Sequence, residues 1–172
     1  EVAAQFPGAL TIAEDLQKNE YITKDTGAGG AGFGSQWDAA FVHPVREAII
    51  TPDDAARDMN SIAAAISHND EGQAVKRVIY TESHDEVANG KARVPSEIDA
   101  ENPHSWHSQK RSTLGAVLVF TAPGIPMIFQ GQEFLAPVVG EVSEILGVDA
   151  DPSALARAEH PHAFIHQQPG DL

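Results

Sequence analysis

Short apolar runs that end in acidic or amide residues alternate along this chain with longer segments of helical period. Leu10-Thr11-Ile12-Ala13 follows the turn chemistry of Phe6-Pro7-Gly8 and runs into Glu14-Asp15, a pattern that predicts a buried strand. Phe33 to Asp38 predicts a second strand, and Phe41 to Ile50 a short helix. Thr51, Pro52, Asp53 and Asp54 make a helix opening: a hydroxyl N-cap, proline in the first turn, and acids at the positive end of the dipole. That helix is expected to reach about His68. Val75 to Thr81 reads as a third strand ending in the polar stretch Glu82 to Glu86. A loop rich in Asn, Pro, Ser and His then leads to a helix from about Ser105 to Phe120. Pro126 to Phe129 predicts the fourth strand, ending in Gln130-Gly131-Gln132-Glu133.

Strands and helices in this alternation argue for parallel βα units. In such sheets ligands and catalysis gather at the carboxyl ends of the strands, whether the sheet is open or closed into a barrel. The polar residues of this chain cluster where its strands end.

Composition narrows the class. At 172 residues, 42% hydrophobic and 21% charged, the chain fits one globular domain with a sizeable core. Its formal charge of −14 argues against a nucleic-acid partner, because phosphate backbones are bound by clustered Lys and Arg. A neutral or cationic ligand fits better. With no cysteine there is neither a disulfide framework nor a thiolate zinc site. The longest apolar run, 114–128, is broken by Gly115, Pro123, Gly124 and Pro126 and falls short of the roughly 20 residues of a membrane span, so no membrane partner is expected. The absence of cysteine leaves the compartment open, with the cytoplasm the default, and no basic segment followed by an apolar core opens the chain. The first residue is Glu1 rather than Met, and a fragment is expected.

Gly27-Ala28-Gly29-Gly30-Ala31-Gly32 has the G-x-G-x-x-G spacing of a dinucleotide-binding turn, which requires a strand before it and a helix after it. Asn19 to Thr26 is too polar for a buried strand, and Phe33-Gly34-Ser35-Gln36-Trp37 has no helical period. The run is expected to be a mobile loop over the strand ends, with glycine supplying backbone freedom, and no cofactor is implied. His160, His162 and His166 with Glu159 offer metal-ligand chemistry, yet Pro161 interrupts the helix that would align them, and no metal site is expected.

Two acids stand out. Glu14 directly follows one strand and Asp85 closely follows another, so a parallel sheet places both on one rim, with carboxyls within roughly 5 to 10 Å of each other. Glycosidic cleavage uses such a set: a protonated acid gives its proton to the leaving oxygen while ionised carboxylates stabilise the oxocarbenium-like centre. The same acids could instead cap helices or pair with rim cations. Trp37, near the rim, could stack on a pyranose face or serve simply in packing.

Three ordered motifs carry a resemblance. Thr11-Ile12-Ala13-Glu14-Asp15, then Tyr80-Thr81-Glu82-Ser83-His84-Asp85-Glu86-Val87 with Gly90-Lys91, then Thr121 to Phe134 resemble the third and fourth signature regions and the last strand of the α-amylase superfamily, glycoside hydrolase family 13. The Ser-His-Asp-Glu-Val form followed by Gly-Lys is most similar to that of α-1,4-glucan branching enzymes. The resemblance implies an α/β fold, the C-terminal half of a TIM (β/α)8 barrel. Residues 1–135 would be a partial catalytic barrel, strands five to eight of the family, and 136–172 a divergent, unassigned tail.

The resemblance further implies that Glu14 is the general acid/base, that Asp85 grips sugar hydroxyls and stabilises the transition state, and that His84 hydrogen-bonds the sugar. Glu86 and Trp37 are expected as further substrate-binding residues. A buried carboxyl of raised pKa at Glu14 would suit the acid's task at neutral pH. The family's nucleophilic aspartate lies at the end of its fourth strand with a nearby arginine, and this chain has no Arg-x-Asp segment. The expected function is glycosyl transfer that builds 1,4-α-glucan branches by a retaining mechanism, with the missing N-terminal half of the barrel as partner. The alternatives are α-amylase-type hydrolysis and a non-catalytic fragment.

Overall fold

The computed structural model describes residues 2–68, 72–88 and 90–137. After a first helical turn α1 (Val2–Gln5), strands β1 (Ile12–Ala13), β2 (Ser35–Trp37), β3 (Arg77–Ile79) and β4 (Ile125–Pro126) form one sheet in the order β1-β2-β3-β4. Every neighbouring pair is parallel. Helices α2 (Ala39–Ile50) and α3 (Met59–Ser67) join β2 to β3, and α4 (Val94–Ile98) and α5 (Trp106–Thr121) join β3 to β4. The expected α/β architecture holds. The β1–β2 connection carries no α-helix, only the 3-10 turn Thr26–Ala28.

Helix α2 forms because Phe41, Val45 and Ile49 recur four residues apart and fall on one face. That face meets Ala65 of α3, Ile79 of β3, Val94 of α4 and Val119 of α5 in the main core. Asp38 caps α2 by accepting from the Ala40 amide at 2.8 Å, and it also receives the buried Arg77 guanidinium at 3.0 Å. Arg77 donates on to the carbonyls of Ala65 and Pro123, so one side chain ties β3 to α3 and to the chain entering β4. At Gly115 a Cβ would stand 2.5 Å from Ile49 Cδ1, so glycine in mid-helix lets α5 lie close against α2.

Several boundaries differ from the sequence expectation. The helix expected from Thr51 begins instead after Asp58, whose carboxylate accepts from the amides of Asn60 and Ser61. Thr51 ends α2, and Asp53 caps only a 3-10 turn, Asp54–Ala56. An acceptor that reaches two amides outcompetes a hydroxyl cap already held by the preceding turn, where Thr51 Oγ1 donates to the Glu47 carbonyl. The strands are shorter than their apolar runs. β1 is not the buried strand expected: Ala13 is covered, while Leu10 and Ile12 are exposed because β1 is an edge strand. The helix at Ser105 forms as expected, with the Ser105 hydroxyl accepting from Ser108.

The glycine run has neither a strand before it nor a helix after it, which removes the dinucleotide reading. It folds back on the chain before it: the amides of Ala31, Gly32 and Phe33 donate to the carbonyls of Tyr21, Lys24 and Ile22. Gly29 and Gly32 take φ of 83° and 75°, a left-handed backbone that glycine adopts freely.

Candidate active site

Parallel pairing puts the residues that follow β1 and β3 on one side of the sheet. Ala13 is opposite Gln36, and Trp37 is opposite Val78, so Glu14 emerges at the level where β3 runs on toward His84. The chain beyond β3 is unusually well buried: Tyr80, Thr81, Glu82 and Ser83 are all nearly inaccessible. His84 then opens a 3-10 turn, Asp85–Val87, and turns outward.

His84 bridges the two acids. Its Nε2 lies 3.2 Å from Glu14 Oε1 and 3.5 Å from Asp85 Oδ1. One ligand atom from each of the three falls within 4.8 Å of the others. Glu14 and Asp85 are thus closer than the sequence suggested, because an imidazole sits between carboxylates that would otherwise repel. Their side chains are 46% and 52% exposed, so Glu14 is not the buried carboxyl expected. The cause is again the edge position of β1, which leaves the rim beside Glu14 uncovered.

Trp37 stands behind His84, with ring centroids 5.9 Å apart in an edge-on contact, and meets Tyr80 at 5.1 Å on its other side. It is half-buried, a wall for the histidine as much as a rim residue. Tyr80 is fully buried, and its hydroxyl finds no hydrogen-bond partner among the described residues. Burial first, and then the negative charges of Glu86, Glu14, Asp85 and Asp38, push its pKa up.

Glu86 does not join the cluster. Its side chain is 4% exposed; Oε1 faces His43 Nε2 at 3.3 Å, while Oε2 accepts from Lys91 Nζ at 3.0 Å and lies 3.7 Å from Arg46 Nε. A carboxylate so enclosed and so occupied fits a supporting role rather than the substrate contact expected of it. Glu82 is likewise enclosed, accepting from Arg93 and from the Val94 amide. Of these cationic partners the sequence motifs include only Lys91, in Gly90-Lys91, while Arg46 and Arg93 went unnoticed in the sequence. Arg46 alone left a readable signal, since it falls on the apolar side of α2 between Val42 and Ile49 at helical spacing. The rim is further tied to the exit of β4 by Gln132, which donates to Thr81 Oγ1 at 2.7 Å.

A cavity of about 210 Å³ opens near Gln36, Trp37, Asp38, Lys76 and Arg77. Of the cluster and its neighbours it is lined by Trp37, while the carboxylates of Glu14 and Asp85 are exposed. Among the described residues no helix is long and apolar enough to cross a membrane. The histidines at 160, 162 and 166 fall outside the described residues.

The fold and site together define an α/β protein with two carboxylates bridged by a histidine at the carboxyl ends of its parallel strands. No family model matches the chain. It is similar, at 30% identity over 130 residues, to the 1,4-alpha-glucan branching enzyme GlgB of Prochlorococcus marinus strain AS9601, covering 75% of this chain and 16% of that protein. To the 1,4-alpha-glucan branching enzyme GlgB of Kitasatospora aureofaciens it is 32% identical over 170 residues, covering 92% of this chain and 20% of that protein. The chain carries a branching-enzyme-like region of glycoside hydrolase family 13. It spans 16–20% of the length of these curated relatives.

Proposed function

We propose that the protein to which this chain belongs forms branches in 1,4-α-glucans by glycosyl transfer in the cytoplasm, and that the chain supplies the C-terminal half of a TIM barrel. The observation that carries this reading is the meeting of Glu14, His84 and Asp85 at the ends of two parallel strands. Glu14 is the general acid/base, protonating the leaving glycosidic oxygen and then activating the acceptor hydroxyl. Asp85 stays ionised and steadies the developing positive charge, and His84 holds a sugar hydroxyl between them. Trp37 keeps His84 in place and offers its open edge to the sugar. Glu86 acts from beneath, through the loop it anchors.

Glu14 and Asp85 are not the acid and nucleophile of a retaining pair. The nucleophile comes from the N-terminal half, since no Arg-x-Asp segment occurs in these 172 residues. The barrel reading is supported by the two sheet edges. Leu10 and Ile12 at β1, and Leu114, Val117 and Phe120 on α5, the helix that leads into β4, are exposed apolar residues of the kind a continuing barrel covers. The 16–20% share of the relatives' length leaves ample chain to do so.

The test is amylose branching by the intact protein, read as a loss of iodine colour together with new α-1,6 linkages. Glu14→Gln keeps the shape and removes the proton, and should lower the rate about 10² to 10⁴-fold. Branching at the wild-type rate by that variant would remove Glu14 from the chemistry, and reducing sugar without new branches would favour hydrolysis.

A further inference from the structure

Arg46 lies in the middle of α2, outside the catalytic cluster, and is 4% exposed. A buried arginine needs partners for a planar fork of five N–H donors, and all of the partners here come from one stretch of chain. Its Nη1 donates to the Thr81 carbonyl at 2.9 Å, and its Nη2 to the Ala92 carbonyl at 2.5 Å. Nη2 also lies 3.2 Å from Glu97 Oε2, and Nε lies 3.7 Å from Glu86 Oε2. Thr81 and Ala92 stand at the two ends of the segment that presents His84 and Asp85. Glu86 is the residue after Asp85, and its second cation, Lys91, also belongs to that segment.

Resting on the branching reading above, we propose that Arg46 is the positioning residue for His84 and Asp85: it fastens both feet of the 81–92 loop, and Glu86 at its middle, to helix α2. Helix α2 is a firm anchor, packed into the main core through Phe41, Val45 and Ile49. Among the described residues the bonds within the loop include the Glu86 amide to Ser83 Oγ at 3.3 Å, the Lys91 amide to the Ala88 carbonyl at 3.1 Å and Lys91 Nζ to Glu86 Oε2 at 3.0 Å. Without Arg46 the loop would keep these bonds and the ties of Glu82 and Thr81 to Arg93, Val94 and Gln132, but its buried joints to α2 would be lost, and the imidazole that must stand between Glu14 and Asp85 would drift. Lysine cannot replace the arginine, because a single ammonium cannot span two carbonyls and two carboxylates placed around a planar fork.

The experiment compares the intact wild-type protein with Arg46→Lys, and with a second variant, Arg46→Gln/Glu86→Gln, that removes both charges of the buried pair. Site-resolved amide exchange is followed at Glu86, Val87 and Ala88 and, as a reference for the sheet, at Val78 and Ile79. Exchange in the loop should rise about tenfold or more while the β3 amides stay within about twofold, a split that local opening allows and global destabilisation does not. On amylose, kcat should fall roughly tenfold to a hundredfold with KM little changed, the mark of misplaced catalytic groups. Unchanged loop exchange in a folded variant overturns the proposal. So does a rise shared equally by loop and strand, or unfolding of both variants, since either assigns Arg46 to the core. If the wild-type protein forms no branches but the loop responds, the branching reading fails and the anchoring stands. If it branches and the loop is indifferent, the anchoring alone fails.

Discussion

Glu82 and Arg93 form an ion pair sealed from solvent at 1% and 2% exposure, with Arg93 Nη2 2.7 Å from Glu82 Oε2 and Nε donating to the same oxygen at 2.8 Å. Arg93 also donates to the Gln130 carbonyl and stacks over the Phe129 ring, so the pair joins the site loop to the chain leaving β4. Arg93→Met leaves a buried carboxylate with only the Val94 amide to face it, and should destabilise the protein by about 3–5 kcal/mol in urea denaturation. Glu82→Gln/Arg93→Met should recover much of that loss. A single variant as stable as wild type would show that the pair is not closed in solution.

The Tyr80 hydroxyl sets up an alkaline dependence. Its pKa in the folded protein lies above the ordinary value of 10.0, so the native state keeps the phenol neutral while the unfolded chain ionises it. The resulting contribution to stability is fully present below pH 10 and is lost as pH rises from there toward the folded pKa. Tyr80→Phe should remove that component of the pH profile, measured by urea denaturation from pH 8 to 11.

At neutral pH the same substitution removes a buried hydroxyl that has no partner among the described residues, and should be neutral or stabilising by up to about 1 kcal/mol. A loss of more than that would mean the hydroxyl is satisfied in solution.

Two glycines of one run should behave differently. A Cβ at Gly30 would stand 2.1 Å from the Lys24 carbonyl oxygen, whereas one at Gly27 meets nothing within 4 Å. Gly30→Ala should destabilise by about 1–3 kcal/mol because backbone must move, and Gly27→Ala should be neutral or slightly stabilising. Thermal melts of the two variants decide it. The run is tied by bonds between neighbouring surface residues alone, so its amides should still exchange faster than those of β3.

The 172-residue chain on its own should neither branch nor hydrolyse amylose, because without a nucleophile no covalent glycosyl intermediate forms. Adding the N-terminal half should restore activity. Robust turnover by the chain alone would show that one of its own acids serves as nucleophile.

The arrangement of the sheet was legible because its signals are local. An apolar run of strand length, a helix with its N-cap at Ser105, and acids placed just after strands are all read within a few residues, and parallel pairing then carries Glu14 and Asp85 to one rim. The same locality explains the misread start of α3. Thr51 and Asp58 are both good caps in isolation, and only the preceding turn, which occupies the Thr51 hydroxyl, chooses between them.

By itself, then, the sequence determined the parallel α/β order of elements, the failure of the glycine run as a nucleotide site, and the acids that face a common rim, since periodicity and capping act over one turn or one strand. Tertiary structure alone decided which acids stand exposed and which are enclosed among cations. Glu14, Glu82, Asp85 and Glu86 look alike as letters after a strand. They are sorted by cations, Arg46 of helix α2 facing Glu86 at 3.7 Å and Arg93 facing Glu82 at 2.7 Å, and by the edge position of β1, which leaves Glu14 open. A carboxylate's environment is set by what desolvates and pairs with it, and those partners are fixed only when the chain has folded.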